Sequence, residues 1–359
     1  MASRTQRTSE LPKHLDDLVA LVRPCVDTGI ADRLTALHEE ADAYDIAPTV
    51  AALRDLALRG GKRFRAVMCV IGYCGVRPAA SWQPAIDAGV AIELLHAYLL
   101  VQDDWMDQDV TRRGGPTVHV MLEEHYGGAE LGAASAILSS DMAWGVAVDT
   151  LATTKVPAAR RLEAMRVLCD THQKVLLGQQ IDMLADRQDV EVIHELKTAS
   201  YTVSGPLLMG ATLAGVDDKG RRAILRFARP LGVAFQLRDD LLGTFAPSEE
   251  TGKPLAGDLR RGKRTAVTVA AQSMLDAGGR RAMRRVFGRD DVSDRSLVTA
   301  AKHLERCGVR DAVHARLAEL CTEARKQVRT LPFDARSRAW LRQAVDQMKA
   351  TAVVLGKPG

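Results

Sequence analysis

Aromatic residues are scarce in this sequence: Phe, Trp and Tyr make up 4% of 359 positions. A large charge excess is missing too, because 49 Lys and Arg face 45 Asp and Glu and leave a net charge of +4, too little for a chain of this length to announce a nucleic-acid binder. The six cysteines (Cys25, Cys69, Cys74, Cys169, Cys307 and Cys321) never fall in CxxC spacing. That argues against zinc and disulfide frameworks and predicts small buried hydrophobes in a reducing, cytoplasmic setting. The opening MASRTQRTSELPKH holds no apolar core of the kind a signal peptide or anchor needs. Residues 86–101, the most apolar long stretch, are interrupted by Asp87, Glu93 and His96, so no membrane span is expected. No alternating run is long enough for a convincing strand.

What remains is helix-forming. Apolar residues reach 47% and charged ones 26%, a globular composition that excludes disorder, and the apolar share is mostly Ala, Leu and Val. Apolar positions recur every three or four residues, punctuated by Gly and Pro, in helical runs of about 10 to 30 residues. The expected fold is all-α: a large antiparallel bundle forming one domain over residues 14–354, between a loose tail at 1–13 and a short tail at 355–359. The stretch Thr244–Arg264, rich in Gly, Pro and charge, is the exception and reads as a functional loop.

Two apolar runs end in acids. In the first, Asp103, Asp104 and Asp107 close the segment that begins at Glu93, and on an ideal helix Asp103 and Asp107 lie about 40° apart, with His96 and Leu99 beside them. Clustered carboxylates repel unless protonated or bridged by cations, and oxygen-only sets suit Mg²⁺ carrying substrate phosphates. Taken alone, this cluster reads equally as an acidic helix end in water. The second run, Phe235 to Gly243, puts Gln236, Asp239 and Asp240 on one face. Two such ends could hold a cation cluster able to neutralise a diphosphate. Basic groups recur nearby in order: Gly60-Gly61-Lys62-Arg63-Phe64-Arg65, which the spacing predicts to open a helix with Lys62 and Arg65 facing an anion; Arg112-Arg113-Gly114-Gly115-Pro116-Thr117-Val118-His119; Lys197-Thr198; and Gly252-Lys253-Pro254 through Asp258 to Lys263-Arg264-Thr265. Singly, each basic pair is also an ordinary solvated surface feature.

In this order, DDxxD, RRGxPTVH, FQxRDD and GKP…DLRxGKRT resemble the trans-isoprenyl diphosphate (polyprenyl) synthases, and the resemblance runs from Gly60 to Thr265. It implies the isoprenoid synthase fold, helices around a deep central cavity, usually in a homodimer. It also implies head-to-tail condensation of an allylic diphosphate with isopentenyl diphosphate, with three Mg²⁺ per active site. By the resemblance Asp103 and Asp107 ligate two of these ions with Asp104 in support, and Asp239 ligates the third with Asp240 as neighbour. Arg112, Lys197, Lys253 and Lys263 would grip the allylic diphosphate, while Lys62, Arg65, His96 and Arg113 would hold isopentenyl diphosphate without metal. Gln179 and Asp182 match a further polar face, Asp182 being open to a second reading as a satisfied core acid; Thr198 and Gln236 would stabilise the allylic cation.

The chemistry of such a reaction suits these groups. It needs cations at the leaving group and a dry, oxygen-lined cavity without a nucleophile to trap the carbocation. Three departures from the family pattern stand out: Gly243 replaces a third acid, Ala66 replaces a proline, and Trp105 is bulky where a small aliphatic residue is usual. Product length in the family is set by bulky residues four and five positions before the first Asp, here Leu99 and Tyr98; one aromatic there implies geranylgeranyl diphosphate first and farnesyl diphosphate second. The helical wheel turns Tyr98 away from the carboxylate face, so a core tyrosine is its other reading. Rival functions are a class I terpene cyclase, which needs no second diphosphate site, and a non-catalytic partner subunit, which typically loses acids that this chain keeps. The run Arg280, Arg281, Arg284, Arg285 and Arg289 reads as a solvated face offset by nearby aspartates.

Overall fold

The computed structural model describes residues 11–184, 190–246 and 256–355. Helix follows helix: α1 (Leu15–Asp42), α2 (Ala47–Leu58), α3 (Phe64–Val76), α4 (Gln83–Met106), α5 (Val118–Tyr126), α6 (Ala129–Ala152) and α7 (Ala158–Leu184). After them α8 (Val190–Ile193) passes into a π-helical segment, His194–Ser204, and on into α9 (Gly205–Ala214) and α10 (Asp218–Phe245). The chain then continues as α11 (Gly257–Arg260), α12 (Ala266–Met274), α13 (Ala277–Val286), α14 (Asp294–Arg306), α15 (Val309–Gln327) and α16 (Ala335–Leu355). The ends obey local chemistry. Thr265 and Thr268 form a reciprocal capping box at α12, Asp276 caps α13 through the Gly279 N–H at 2.6 Å, and Gly127 in the left-handed region stops α5.

Contacts group the helices into two compact units, and the division falls inside α7, α10 and α16. The first holds residues up to His172 together with 205–221 and 332–340. There α3 crosses α9 backbone to backbone: a Cβ on Gly72 would collide with the Leu207 carbonyl, and one on Gly210 with the Cys69 carbonyl. α4 packs against α1, α3 and α6, and every residue from Ala88 through Tyr98 is buried. Leu11, within the expected tail, is buried as well, and its carbonyl accepts from Arg336 at 3.1 Å. The second unit comprises 173–204, 222–331 and the rest of α16, with Phe227, Leu231, Leu304, Leu317 and Leu341 in its core.

α4 and α6 are each long and apolar enough to cross a bilayer by length and composition, but the most apolar stretch of α4 is 89% buried within the protein and that of α6 33%. α4 is therefore a core helix, as its buried acid and histidine require. Of the cysteines, Cys69, Cys74 and Cys321 are buried, with thiol pKa values pushed up by desolvation; Cys169 is exposed, contrary to the uniform burial expected.

Candidate active site

At the end of α4, Leu99, Gln102, Asp103, Met106 and Asp107 are all partly exposed, a stripe at three- and four-residue spacing, while Tyr98, Val101 and Asp104 are buried. Asp103 and Asp107 thus open onto one face. Asp104 turns inward, fully buried, and its Oδ1 accepts from Arg112 Nε at 2.7 Å and from Arg112 Nη2. Burial pushes the Asp104 carboxyl pKa up, and the adjoining Arg112 guanidinium pulls it back. Asp109 takes a further bond from Arg112 at 3.2 Å, and Asp103 lies 4.0 Å from the same guanidinium. The loop carrying Arg112 is a small correction to the strandless expectation: Thr111–Arg112 pairs antiparallel with Gly115–Pro116. Arg113 (φ 52) and Gly114 (φ 77) form its turn, the two positive φ values that a tight hairpin favours. Two-residue strands leave no periodicity to read. Arg59, absent from the expected site, clasps this hairpin by donating to the Arg112 carbonyl at 2.9 Å and the Pro116 carbonyl at 2.8 Å.

A cationic group gathers beside it. Arg113 donates to the Arg59 carbonyl at 3.2 Å and approaches His96 Nε2 at 3.3 Å. Burial, then the charges of Arg65, Arg113, Arg63 and Arg112, hold the His96 pKa well below its usual value, so its ring is neutral and accepts from Arg113. Lys62 and Arg65 do not share the helical face that their spacing predicts. Gly60, Gly61 and Arg63 all have positive φ (64, 103 and 50), which keeps the chain out of helix until Phe64; Lys62 sits exposed in the preceding loop and Arg65 half-buried in the first turn. The Arg113 guanidinium packs over Gly61, where an added Cβ would meet it at an ordinary 3.7 Å, so it is the φ of 103 that calls for glycine there.

Arg63 is the residue that motif reading passed over. Its side chain, 2% exposed, donates to Asp27 of α1 at 2.7 Å, to Glu93 of α4 at 3.2 Å and to the Ala57 carbonyl at 2.7 Å. Glu93 also accepts from the Ala66 N–H at 3.4 Å, a bond that the family's proline could not make. Glu93, an acid inside an apolar helix, was the available signal. Trp105 is 42% exposed, so its bulk displaces nothing in the core.

The second acidic end, in the second unit, repeats the division of the first. Asp239 is half-exposed, with Arg238 Nη2 at 3.0 Å, whereas Asp240 is 2% exposed. Asp240 Oδ1 accepts from Gln236 at 2.8 Å; its Oδ2 accepts from the Ala266 N–H at 2.8 Å and lies 3.3 Å from His194 Nε2. Thr198 donates to Gln236 at 2.7 Å, so Thr198, Gln236 and Asp240 form one hydrogen-bonded chain. Lys197 and Thr198 lie in the π-helical segment instead of a regular helix. Two glycines let it in: a Cβ on Gly178 would stand 2.6 Å from the Lys197 nitrogen, and one on Gly232 would strike Ala199. Lys197 Nζ pairs with Asp182 at 2.8 Å, and Gln179 is half-exposed on α7. Lys263 is half-buried, its N–H bonded to the Asp258 carbonyl at 2.9 Å, and Lys253 lies outside the described residues. Gly243 has its own reason: a Cβ there would press on the Asp258 carboxylate, its carboxyl carbon 2.8 Å away.

Among the described residues no three His, Cys, Asp or Glu side chains converge as a complete metal cage. The donors nonetheless suit Mg²⁺, which typically takes one or two carboxylates and completes its shell with water and phosphate oxygens; Asp103 and Asp107 offer such a pair on an open face. Leu99 stands at the inner end of that face, and Tyr98, the residue before it, is buried with its ring edge-on to His172.

These features define an all-helical protein with two acidic helix ends, and comparison identifies the family. A profile of the polyprenyl synthetase family matches residues 48–304, and the chain belongs to that family. It is 31% identical to a geranylgeranyl diphosphate synthase of Sulfolobus acidocaldarius over 274 residues, 73% of this chain and 78% of that one. With a geranylfarnesyl diphosphate synthase of Natronomonas pharaonis it shares 29% identity over 340 residues, 89% and 93% of the two chains. Its fold matches the crystal structure of a Corynebacterium glutamicum geranylgeranyl pyrophosphate synthase complexed with isoprenyl diphosphate and magnesium, with a TM-score of 0.82 and 28% identity over 93% of this chain and 99% of that chain. The all-α isoprenoid synthase fold expected from the sequence is thereby borne out.

Proposed function

We propose that this protein is a head-to-tail trans-prenyltransferase that condenses an allylic diphosphate with isopentenyl diphosphate, with geranylgeranyl diphosphate as the main product and farnesyl diphosphate second. The observation that carries the reading is the repeated division of labour at the acidic ends: Asp103 and Asp239 stand half-exposed while Asp104 and Asp240 are buried and bonded to the loop or helix that follows. In this reading Asp103, Asp107 and Asp239 are the residues that would hold Mg²⁺, and Asp104 and Asp240 brace them. Bound Mg²⁺ would supply the charge that turns diphosphate into a good leaving group. Arg112, Lys197, Lys253 and Lys263 grip the allylic diphosphate; Lys62, Arg65, His96 and Arg113 serve the isopentenyl side, and Gln179 belongs to a further polar face.

When the allylic C–O bond breaks, the diphosphate departs with the electron pair. The isopentenyl double bond then attacks the allylic carbon, and a proton lost from the isopentenyl unit passes to the released diphosphate. Thr198 and Gln236 present oxygens to the cation, and their mutual hydrogen bond keeps those dipoles aimed before the charge forms. Leu99 and Tyr98 end the space for the product.

We also propose a homodimer. α6 leaves Leu131 and Leu138 more than half exposed and Ile137 37% exposed, apolar side chains of the kind a second copy of the chain would cover. Sedimentation equilibrium tests this, a single monomeric species at micromolar concentration being the contrary result. For the activity, the decisive experiment incubates the enzyme and Mg²⁺ with isopentenyl diphosphate and each of dimethylallyl, geranyl and farnesyl diphosphate. Dephosphorylated products are then separated by chromatography, and absence of any chain longer than the primer would refute the reading.

A further inference from the structure

The partly exposed stripe on α4 ends at Leu99 and Leu100, and what lies beneath it is not one ring but three. Tyr98 of α4 stands edge-on to His172 of α7, with ring centroids 5.0 Å apart at 81°. His172 in turn lies 4.3 Å from Trp144 of α6 at 33°, and Tyr98 and Trp144 are 6.4 Å apart. One turn nearer the acids, Gln102 of α4 donates to Ser140 of α6 at 3.3 Å. The pairs Gln102 with Ser140 and Tyr98 with Trp144 are successive rungs between antiparallel helices, so the rings form the layer directly beneath the last open turn. This layer sits about 7.5 Å along α4 from Asp103, five residues at the helical rise. His172 suits an apolar boundary, since burial lowers its pKa and leaves the ring uncharged at neutral pH.

We infer that Trp144 and His172 are specificity-determining residues that set product length together with Tyr98, the three rings acting as a single floor under the growing prenyl chain. The inference rests on the prenyltransferase reading above. Its physical content is that the floor is shared among three helices: removing Tyr98 alone leaves the His172 and Trp144 rings stacked across the same level. Removing His172 takes away the ring that touches both of the others. The sequence signals only Tyr98, because Trp144 and His172 lie 46 and 74 positions further along the chain (144 − 98 and 172 − 98) and come together only through packing.

The test compares wild-type enzyme with Tyr98→Ala, His172→Ala, Trp144→Leu, the double variant Tyr98→Ala/His172→Ala, and His172→Phe. Each is supplied with isopentenyl diphosphate and a farnesyl primer, with product lengths read by chromatography after dephosphorylation. His172→Ala and Trp144→Leu should each raise the share of product one isoprene unit longer than the wild-type main product by about tenfold. The double variant should exceed either of its single changes, and His172→Phe, which restores a flat ring without the nitrogen atoms, should return the wild-type length. If Tyr98→Ala lengthens the product while His172→Ala and Trp144→Leu leave it unchanged, the shared floor is wrong and the prenyltransferase reading stands. Unchanged lengths in all variants overturn the floor altogether. A wild-type enzyme that makes no prenyl product sinks the activity itself, a separate outcome. Should His172→Ala fail to fold, Trp144→Leu and His172→Phe decide between the same results.

Discussion

Adjacent residues on a helix point about 100° apart, so two consecutive aspartates cannot serve one face equally. At both acidic ends the first acid faces outward and the second inward, and the two should fail differently. Asp103→Ala should cut turnover by orders of magnitude and raise the Mg²⁺ requirement while thermal stability stays near wild type. Asp104→Ala removes the buried partner of Arg112 and should lower folding stability by about 3 kcal/mol, the usual cost of breaking a buried pair. Urea unfolding beside a Mg²⁺ titration separates the two, and equal stability losses would contradict the division. His96, neutral and accepting from Arg113, offers a second contrast. His96→Ala should raise KM for isopentenyl diphosphate about tenfold, worth roughly 1.4 kcal/mol, and move the primer's KM by less than about twofold. Steady-state kinetics with each substrate varied in turn checks it; parallel increases would argue against separate subsites.

The elements behave as clamps as much as scaffolds. Arg63, at a positive φ ahead of α3, ties that helix start to Asp27 of α1 and Glu93 of α4. Arg63→Met should strand two carboxylates, one of them buried, and destabilise the fold by about 3–5 kcal/mol. Adding Glu93→Leu should recover much of that loss, since an apolar pair of similar volume tolerates burial better than a lone charge; denaturant midpoints of the single and double variants decide it. The acid pairs, the basic runs and the helical character were legible in the sequence, because each is a local pattern of residue type and spacing. The resemblance already placed Asp103 and Asp239 ahead of Asp104 and Asp240, but the burial of the second acid of each pair was not legible, because it depends on how α4 and α10 are rotated, and packing alone sets that. The π-helical turn at Lys197 was hidden for a like reason: it depends on Gly178 and Gly232, on other helices, leaving space for a displaced backbone. Arg63 escaped because a third cation between Lys62 and Arg65 looks like more of the same charge, and only its burial shows that it works against Asp27 and Glu93.

At the scale of the whole molecule, three histidines make stability depend on pH. Burial is the leading cause that lowers the pKa of His96, His119 and His172, most of all for His96, which four arginines also crowd. A histidine whose folded pKa lies below its unfolded value of about 6.5 binds its proton more readily in the unfolded chain. Its stabilisation is therefore present above pH 6.5 and is lost as pH falls from there towards the folded pKa. Asp87 and Asp104, whose carboxyl pKa values burial pushes up, act with the opposite sign, but from the lower carboxylate range. The melting temperature should accordingly fall between about pH 7.5 and pH 5.5, and His172→Phe, which removes one of the three groups, should flatten the fall. An anion beside His96 reverses the local logic, because negative charge among Arg65, Arg113 and His96 favours the imidazolium. Inorganic diphosphate added without Mg²⁺ should therefore raise the melting temperature more at pH 6 than at pH 8, although the free anion itself carries less charge at the lower pH. The same experiment on His96→Ala should lose that pH dependence; if the variant keeps it, the anion binds away from His96 and the assignment of the metal-free diphosphate pocket fails.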